Sequence, residues 1–232
     1  MPREIPASAS LLGMRGLFLV LATFSIAAAQ APHGPHQAPH PHHRRSAEEW
    51  QKILEREDRR EWQKPEEVVA ALGLEQDDHV ADIGAGSGYF SVRFARAVGP
   101  EGKVYAVDIQ QDLIDLLADR AEREGLPNLV PVLGAADNPR LPATVDWIFI
   151  CDVAHHLEDR PTYYARLRHA LDPQGRLAVI DFHKRETPVG PSVESRISRD
   201  QMIAELEQAG FRLAAEHDFL PYQYFLIFEA SR

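Results

Sequence analysis

From His79 onward, short apolar runs alternate with amphipathic segments of helical length, and this alternation restricts the architecture more than any other feature of the chain. His79–Ile83, Lys103–Val107, Leu129–Leu133, Trp147–Cys151 and Arg176–Phe182 read as strands. Tyr89–Val98, Gln111–Glu124, Thr162–Leu171 and Arg199–Gly210 read as helices. Within Gln111–Glu124, Leu113, Ile114, Leu116 and Leu117 fall toward a buried side. Trp147–Cys151 (WIFIC) is apolar throughout, as a strand covered on both faces must be. Strands separated by helices pair in parallel, with the helices crossing over the sheet. Phe211–His217 and Tyr224–Ala230 are joined by a short turn around Pro221, too short for a crossover, so this last pair is antiparallel. The expectation is an α/β chain: a mostly parallel sheet with helices on both faces and an antiparallel last strand.

The first 45 of the 232 residues do not share this pattern. Arg3 and Arg15 precede an uncharged run, Gly16–Ala29, that is short for a membrane span of about 20 residues. It ends in Ala27-Ala28-Ala29, small residues of the kind a signal peptidase reads. Residues 1–29 are therefore expected to be an export signal cleaved after Ala29, leaving an exported, periplasmic or secreted chain without a stable membrane anchor. If the signal is not used, the chain stays cytoplasmic. Residues 30–45 (QAPHGPHQAPHPHHRR) carry four prolines, which oppose helix and favour an extended tether. His33, His36, His40, His42 and His43 offer that tether a weak affinity for divalent Zn, Cu or Ni. The folded part is expected over residues 46–232. Its first stretch, 46–64, carries Trp50, Ile53, Leu54 and Trp62 on an amphipathic helix that packs on the rest, and Glu66–Leu72 is a further helix stopped by Gly73.

Composition excludes several classes. With 25 Lys+Arg against 35 Asp+Glu, the chain lacks the basic stripe of a nucleic-acid binder. Its single cysteine, Cys151, excludes a disulfide framework, a Cys-rich zinc site and a cysteine-ligated iron–sulfur cluster.

The main chemical signal is Val80-Ala81-Asp82-Ile83-Gly84-Ala85-Gly86-Ser87-Gly88-Tyr89-Phe90: a strand, a glycine loop, then a helix. Glycines admit a tight turn and the close approach of a ligand. The spacing is Gly-x-Gly-x-Gly, and Tyr89 stands where a dinucleotide fingerprint has its third glycine, which disfavours an NAD-type oxidoreductase. Asp82, two residues before Gly84, repels a pyrophosphate and suits a ligand bearing an amine. Asp108-Ile109 closes the next strand, twenty residues past Gly88, where an acid takes ribose hydroxyls. Ala136-Asp137 follows the third strand and places an acid within reach of an adenine amino group.

Together these residues resemble the class I S-adenosylmethionine-dependent methyltransferases, over roughly Pro65–Glu229. The nearest likeness is to the small-molecule branch that includes ubiquinone/menaquinone-type enzymes. The resemblance implies a Rossmann-like seven-stranded sheet with an antiparallel last strand, and S-adenosyl-L-methionine as cofactor. It assigns the methionine moiety to Asp82, Gly84, Ala85, Gly86, Ser87 and Gly88, the ribose to Asp108 and Ile109, and the adenine to Ala136 and Asp137. It further implies an in-line methyl displacement to a small-molecule acceptor, in which the protein aligns the reactants and excludes water.

The acceptor side is less defined. Asp152-Val153-Ala154-His155-His156 follows the fourth strand. His155, or else His156, is the candidate base, and Asp152 faces either the methionine amine or the acceptor. Asp181-Phe182-His183-Lys184 edges the same region. No Asn/Asp-Pro-Pro-Tyr/Phe run of amino-DNA methylation is present, and no ligand trio for a metal-assisted transfer stands out. The alternative to an enzyme is an exported, non-catalytic binding protein of the same fold.

Overall fold

The computed structural model describes residues 46–231. The expected signal segment, its cleavage point at Ala29 and the histidine-rich tether lie outside the described residues.

Seven strands form one sheet: β1 (His79–Ile83), β2 (Lys103–Asp108), β3 (Leu129–Leu133), β4 (Val145–Cys151), β5 (Leu171–Phe182), β6 (Phe211–His217) and β7 (Gln223–Ala230). Their order is β3-β2-β1-β4-β5-β7-β6. The first five neighbours pair in parallel, and β7 runs antiparallel to both β5 and β6. Both the alternation and the short last turn therefore translate into topology as expected. The chain winds outward from β1 to β3, then restarts at β4 on the other side of β1. This makes the carboxyl ends of β1 and β4 the switch point, where open α/β sheets bind ligands.

Helices α1 (Ala47–Leu54), α2 (Arg59–Gln63), α3 (Pro65–Leu72), α4 (Ser91–Ala97), α5 (Gln111–Glu124), α6 (Arg160–Ala170) and α7 (Arg199–Gln208) complete the fold. Strand side chains alternate between two cores, as a two-residue period requires. Trp147 and Phe149 face one core with Val68 of α3, Phe94 of α4 and Leu117 of α5. Ile148 and Ile150 face the other with Tyr164 and Leu167 of α6 and Met202 of α7. Phe149 lies 4.8 Å from the ring of Phe90 and 4.9 Å from that of Phe94, so aromatic packing pins the start of α4, and with it the glycine loop, to the central strand. Among the described residues, no helix is long and apolar enough to cross a membrane.

Three local expectations change. The amphipathic stretch 46–63 is two helices, because Glu55 caps α1 and Arg56 pairs with Asp58 across the break. The helix after the glycine loop starts at Ser91 rather than Tyr89, since the turn runs on through the buried Tyr89 and Phe90. The fifth strand starts at Leu171 rather than Arg176, so it includes Asp172–Gly175. That stretch is an irregularity within β5, with Leu171 opposite Val145 and Arg176 opposite Trp147.

Candidate functional site

The glycine loop leaves β1 under close constraint. The Gly84 and Ala85 amides both donate to the Val107 carbonyl, at 2.8 and 2.9 Å. Gly84 has φ +73° and Gly86 φ +57°, a region side chains disfavour. A Cβ on Gly84 would meet Val153 Cγ2 at 2.3 Å, and one on Gly86 would meet Leu54 Cδ1 at 2.6 Å. The loop is thus held between the residues following β4 on one side and the end of α1 on the other. Ser87 and Gly88 complete it, both buried, with the Gly88 amide donating to the Ala85 carbonyl.

Asp82 and Asp108 sit near the carboxyl ends of adjacent strands, Asp82 opposite Ala106 and Asp108 two residues further along β2. Asp82 accepts a 2.5 Å hydrogen bond from Ser91 Oγ, and burial pushes its pKa up to about 6. Asp108 accepts from the Gly86 amide at 3.1 Å with one oxygen and from the Gln110 amide at 3.0 Å with the other. Burial raises its pKa against those bonds. The carboxylate expected to take ribose hydroxyls therefore also shapes the loop. Ile109 beside it is 57 % exposed, and Leu133, opposite Asp108 on β3, is exposed as well. Two exposed aliphatic side chains at neighbouring strand ends suit a flat aromatic base. Asp137 is placed differently: its carboxylate is largely exposed and pairs with Arg166 of α6 at 2.9 Å. Ala136 beside it is exposed.

A second cluster lies at the ends of β4 and β5. Asp152 adopts a left-handed backbone (φ +59°), and strain of this kind concentrates at functional sites. Its carboxylate accepts from Gln223 Nε2 at 2.6 Å, and Gln223 Oε1 accepts from Gln63 Nε2 at 2.9 Å. Burial and the nearby Asp181 push the Asp152 pKa up to about 7. His155 Nδ1 lies 3.1 Å from both oxygens of the fully buried Asp181. Burial alone would lower the His155 pKa, but the hydrogen bond and charge of Asp181 outweigh it and the net shift is upward. The His156 ring lies 4.2 Å from that of His155. Cys151 stays a protonated thiol, because burial raises its pKa well above the ordinary value. The wall beyond β5 is fastened by Arg196. It is 3 % exposed and donates to the carbonyls of His183, Arg185, Val189 and Pro191 while lying over the Phe182 ring.

The sequence reading left several members of this site unassigned. Asp181 had a signal, since an acid is the last or next-to-last residue of each of β1, β2 and β5 and another follows β4. Gln63, Gln223 and Arg59 had none, because each comes from an element remote in sequence from the loops it serves. The α1–α2 segment is a strap across the glycine loop. Leu54 covers Gly86, Glu55 accepts from Ser87 Oγ at 2.7 Å and from Arg120 Nη1 at 2.6 Å, and Trp62 packs 5.8 Å from Phe182. Among the described residues, no group of three or more His, Cys, Asp or Glu side chains is arranged to hold a metal ion.

The family described as a methyltransferase domain matches residues 74–216, more than half of the chain. The chain belongs to the methyltransferase-domain family. A solved S-adenosylmethionine-dependent methyltransferase from Aquifex aeolicus is 28% identical. The match covers 76% of this chain and 95% of that one, with a TM-score of 0.72. A ubiquinone/menaquinone biosynthesis C-methyltransferase of Marinomonas sp. is 29% identical over 134 residues, 56% of this chain and 53% of that protein. A 27-O-demethylrifamycin SV methyltransferase of Amycolatopsis mediterranei is 28% identical over 170 residues, 67% of this chain and 61% of that protein. The chain thus spans between about half and three fifths of the length of these curated relatives. S-adenosylmethionine is the cofactor. The residues present fit it: the loop leaves no room for Cβ atoms, two strand-end carboxylates stand beside it, and two buried polar atoms next to it, Arg59 Nε and the Tyr89 hydroxyl, lack a protein partner.

Proposed function

We propose that the chain transfers a methyl group to a small molecule bearing an ionisable hydroxyl, with His155 as the base and Asp181 as the residue that orients it. The observation that carries this reading is the bond from His155 Nδ1 to a fully buried carboxylate, which leaves Nε2 as the ring nitrogen available to an acceptor. The cofactor supplies a methyl carbon already bonded to a good leaving group. The protein's part is to align the acceptor with that carbon, exclude water and take a proton. His155 Nε2 would hold the acceptor hydroxyl and take its proton as the methyl group is transferred. Methylation at the oxygen and at an adjacent ring carbon both begin from the same deprotonated acceptor. That chemistry accommodates both curated relatives, one named for a carbon acceptor and the other for a demethylated oxygen. Asp152 faces this space from the switch point and, with Asp82, bounds the place of the cofactor's amine. Asp108 and Ile109 hold the ribose side, and Ala136-Asp137 borders the adenine.

Incubation of the purified chain with methyl-labelled S-adenosylmethionine and a panel of phenols and hydroquinones tests the reading. Transfer that His155→Gln reduces at least a hundredfold is expected. Tight cofactor binding with no transfer to any hydroxylated acceptor would overturn it in favour of a non-catalytic binding protein.

We also propose that residues 1–29 direct export, on the strength of the uncharged Gly16–Ala29 run and its alanine ending. On this reading residues 30–45 are a tether with weak divalent-metal affinity at its histidines. Sequencing the mature N-terminus after cell fractionation should find Gln30, and a cytosolic product that begins at Met1 would refute it.

A further inference from the structure

Arg59 is a buried guanidinium with no carboxylate at ion-pair distance among the described residues. It is 8 % exposed. Nη1 donates to the Leu54 carbonyl at 2.8 Å, Nη2 reaches Gln63 Oε1 at 3.5 Å, and Nε has no partner. Its plane lies over the Tyr89 ring, with Cζ 4.1 Å from the centroid. On the same ring lies a second guanidinium, Arg93, at 4.4 Å. The Tyr89 hydroxyl is likewise buried without a partner. It and Arg59 Nε are the two such side-chain atoms among the described residues. A buried cation with an unused donor is costly unless an anion meets it. Both orphan groups flank the glycine loop: Tyr89 follows Gly88, and Arg59 is close enough to Asp82 and Asp152 for their charges to interact.

From this we infer that Arg59 and the Tyr89 hydroxyl form the seat for the carboxylate at the amino-acid end of the cofactor, and that this contact holds the α1–α2 strap closed. The assignment rests on the cofactor identity given above. Its charge logic is complete. The cofactor's amino-acid end carries one ammonium and one carboxylate. Asp82 and Asp152 are the anions for the first, and Arg59 is the cation for the second. It also gives Tyr89 a function in the position where a dinucleotide loop needs glycine. The strap side reaches the acceptor side through Gln63 and Gln223, which link Arg59 to Asp152 by hydrogen bonds.

Titration calorimetry with two ligands separates a carboxylate seat from a structural role. S-adenosylhomocysteine carries the amino-acid end, and 5′-methylthioadenosine has the same nucleoside and sulfur without it. Arg59→Met is expected to weaken S-adenosylhomocysteine at least tenfold and to leave methylthioadenosine within twofold. Tyr89→Phe should do the same to a smaller extent, and Arg59→Lys should recover part of the loss. Because methylthioadenosine binding itself reports an intact site, a variant that binds neither ligand is replaced in the test by Tyr89→Phe. Equal weakening of both ligands in Tyr89→Phe and Arg59→Lys, or no change in either, would overturn the inference. A wild-type chain that bound neither ligand would overturn the cofactor assignment beneath it.

Discussion

His155 Nδ1 meets both carboxylate oxygens of Asp181 at 3.1 Å, and that carboxylate is wholly buried. The pair spans the ends of two adjacent parallel strands, so the sheet itself sets its geometry. A raised His155 pKa keeps the ring protonated to higher pH, and only the neutral ring is a base. The kcat/KM profile should therefore rise with pH through a value above that of an ordinary histidine. Asp181→Asn removes the largest contributions that raise this pKa, leaving the smaller one of Asp152 against burial, which lowers it. The limb should move to lower pH while the plateau falls about tenfold or more, within the range general bases contribute. Asp152 titrates nearby at about 7, so the comparison is best repeated in an Asp152→Asn background. A limb that stays in place would show that Asp181 does not act through His155.

Asp108 is predicted to serve two purposes. Asp108→Asn removes the charge from the bonds to the Gly86 and Gln110 amides and from the ribose. Hydrogen bonds to a charged group are worth about 1.5–3 kcal/mol. S-adenosylhomocysteine affinity should therefore fall roughly 10- to 100-fold by calorimetry.

Asp82 should weaken the unliganded fold at neutral pH. Its folded pKa of about 6 lies above the unfolded value of 3.8. The folded state is thus favoured by protonation below about 4, and that advantage disappears as pH rises through 6. Denaturant unfolding should accordingly find Asp82→Asn as stable as the parent or more so at pH 7.5, by up to about 3 kcal/mol. The gain should vanish near pH 4. The same variant should lose cofactor affinity. A variant less stable at pH 7.5 would show that the Ser91 bond outweighs the burial cost.

Arg120 ties the strap to the loop, bonding Glu55, the Ser87 carbonyl and Glu124. The Arg120 and Glu55 side chains are largely sheltered, with 13 % and 29 % exposure, so the ion pair is not fully screened. Arg120→Met should speed hydrogen exchange at least tenfold over residues 47–63 while leaving the amides of β1 and β4 as protected as before. Uniform loss of protection would mean that the strap and sheet unfold as one unit.

Periodicity alone was enough to read the sheet. Strand and helix repeats differ, and the two helical faces bury alternate residues of WIFIC, so this part of the fold is written locally. The glycine loop and its two strand-end acids were legible for the same reason: Asp82, Gly84, Gly86 and Asp108 act within one strand–loop–helix unit and its neighbour. The chain could also be read as having an amphipathic N-terminal stretch, but not its break at Glu55–Asp58 or where it lies. Local charges end α1, while the packing of Leu54 on Gly86 and Trp62 on Phe182 depends on surfaces assembled elsewhere.

Residue type and position marked His155 and Asp152 as reactive, and did not separate His155 from His156. Tertiary structure pairs His155 with a buried carboxylate, because the register of β4 and β5 carries Asp181 to it across 26 residues of sequence. It likewise brought Gln223 to Asp152 and Arg59 to Tyr89. Local sequence determined which segments become strands, helices and ligand loop, since backbone geometry and side-chain periodicity act over a few residues. Which polar groups are buried together, and hence which are shifted, paired or left with an unused donor, was decided only when distant elements met in a low-dielectric interior.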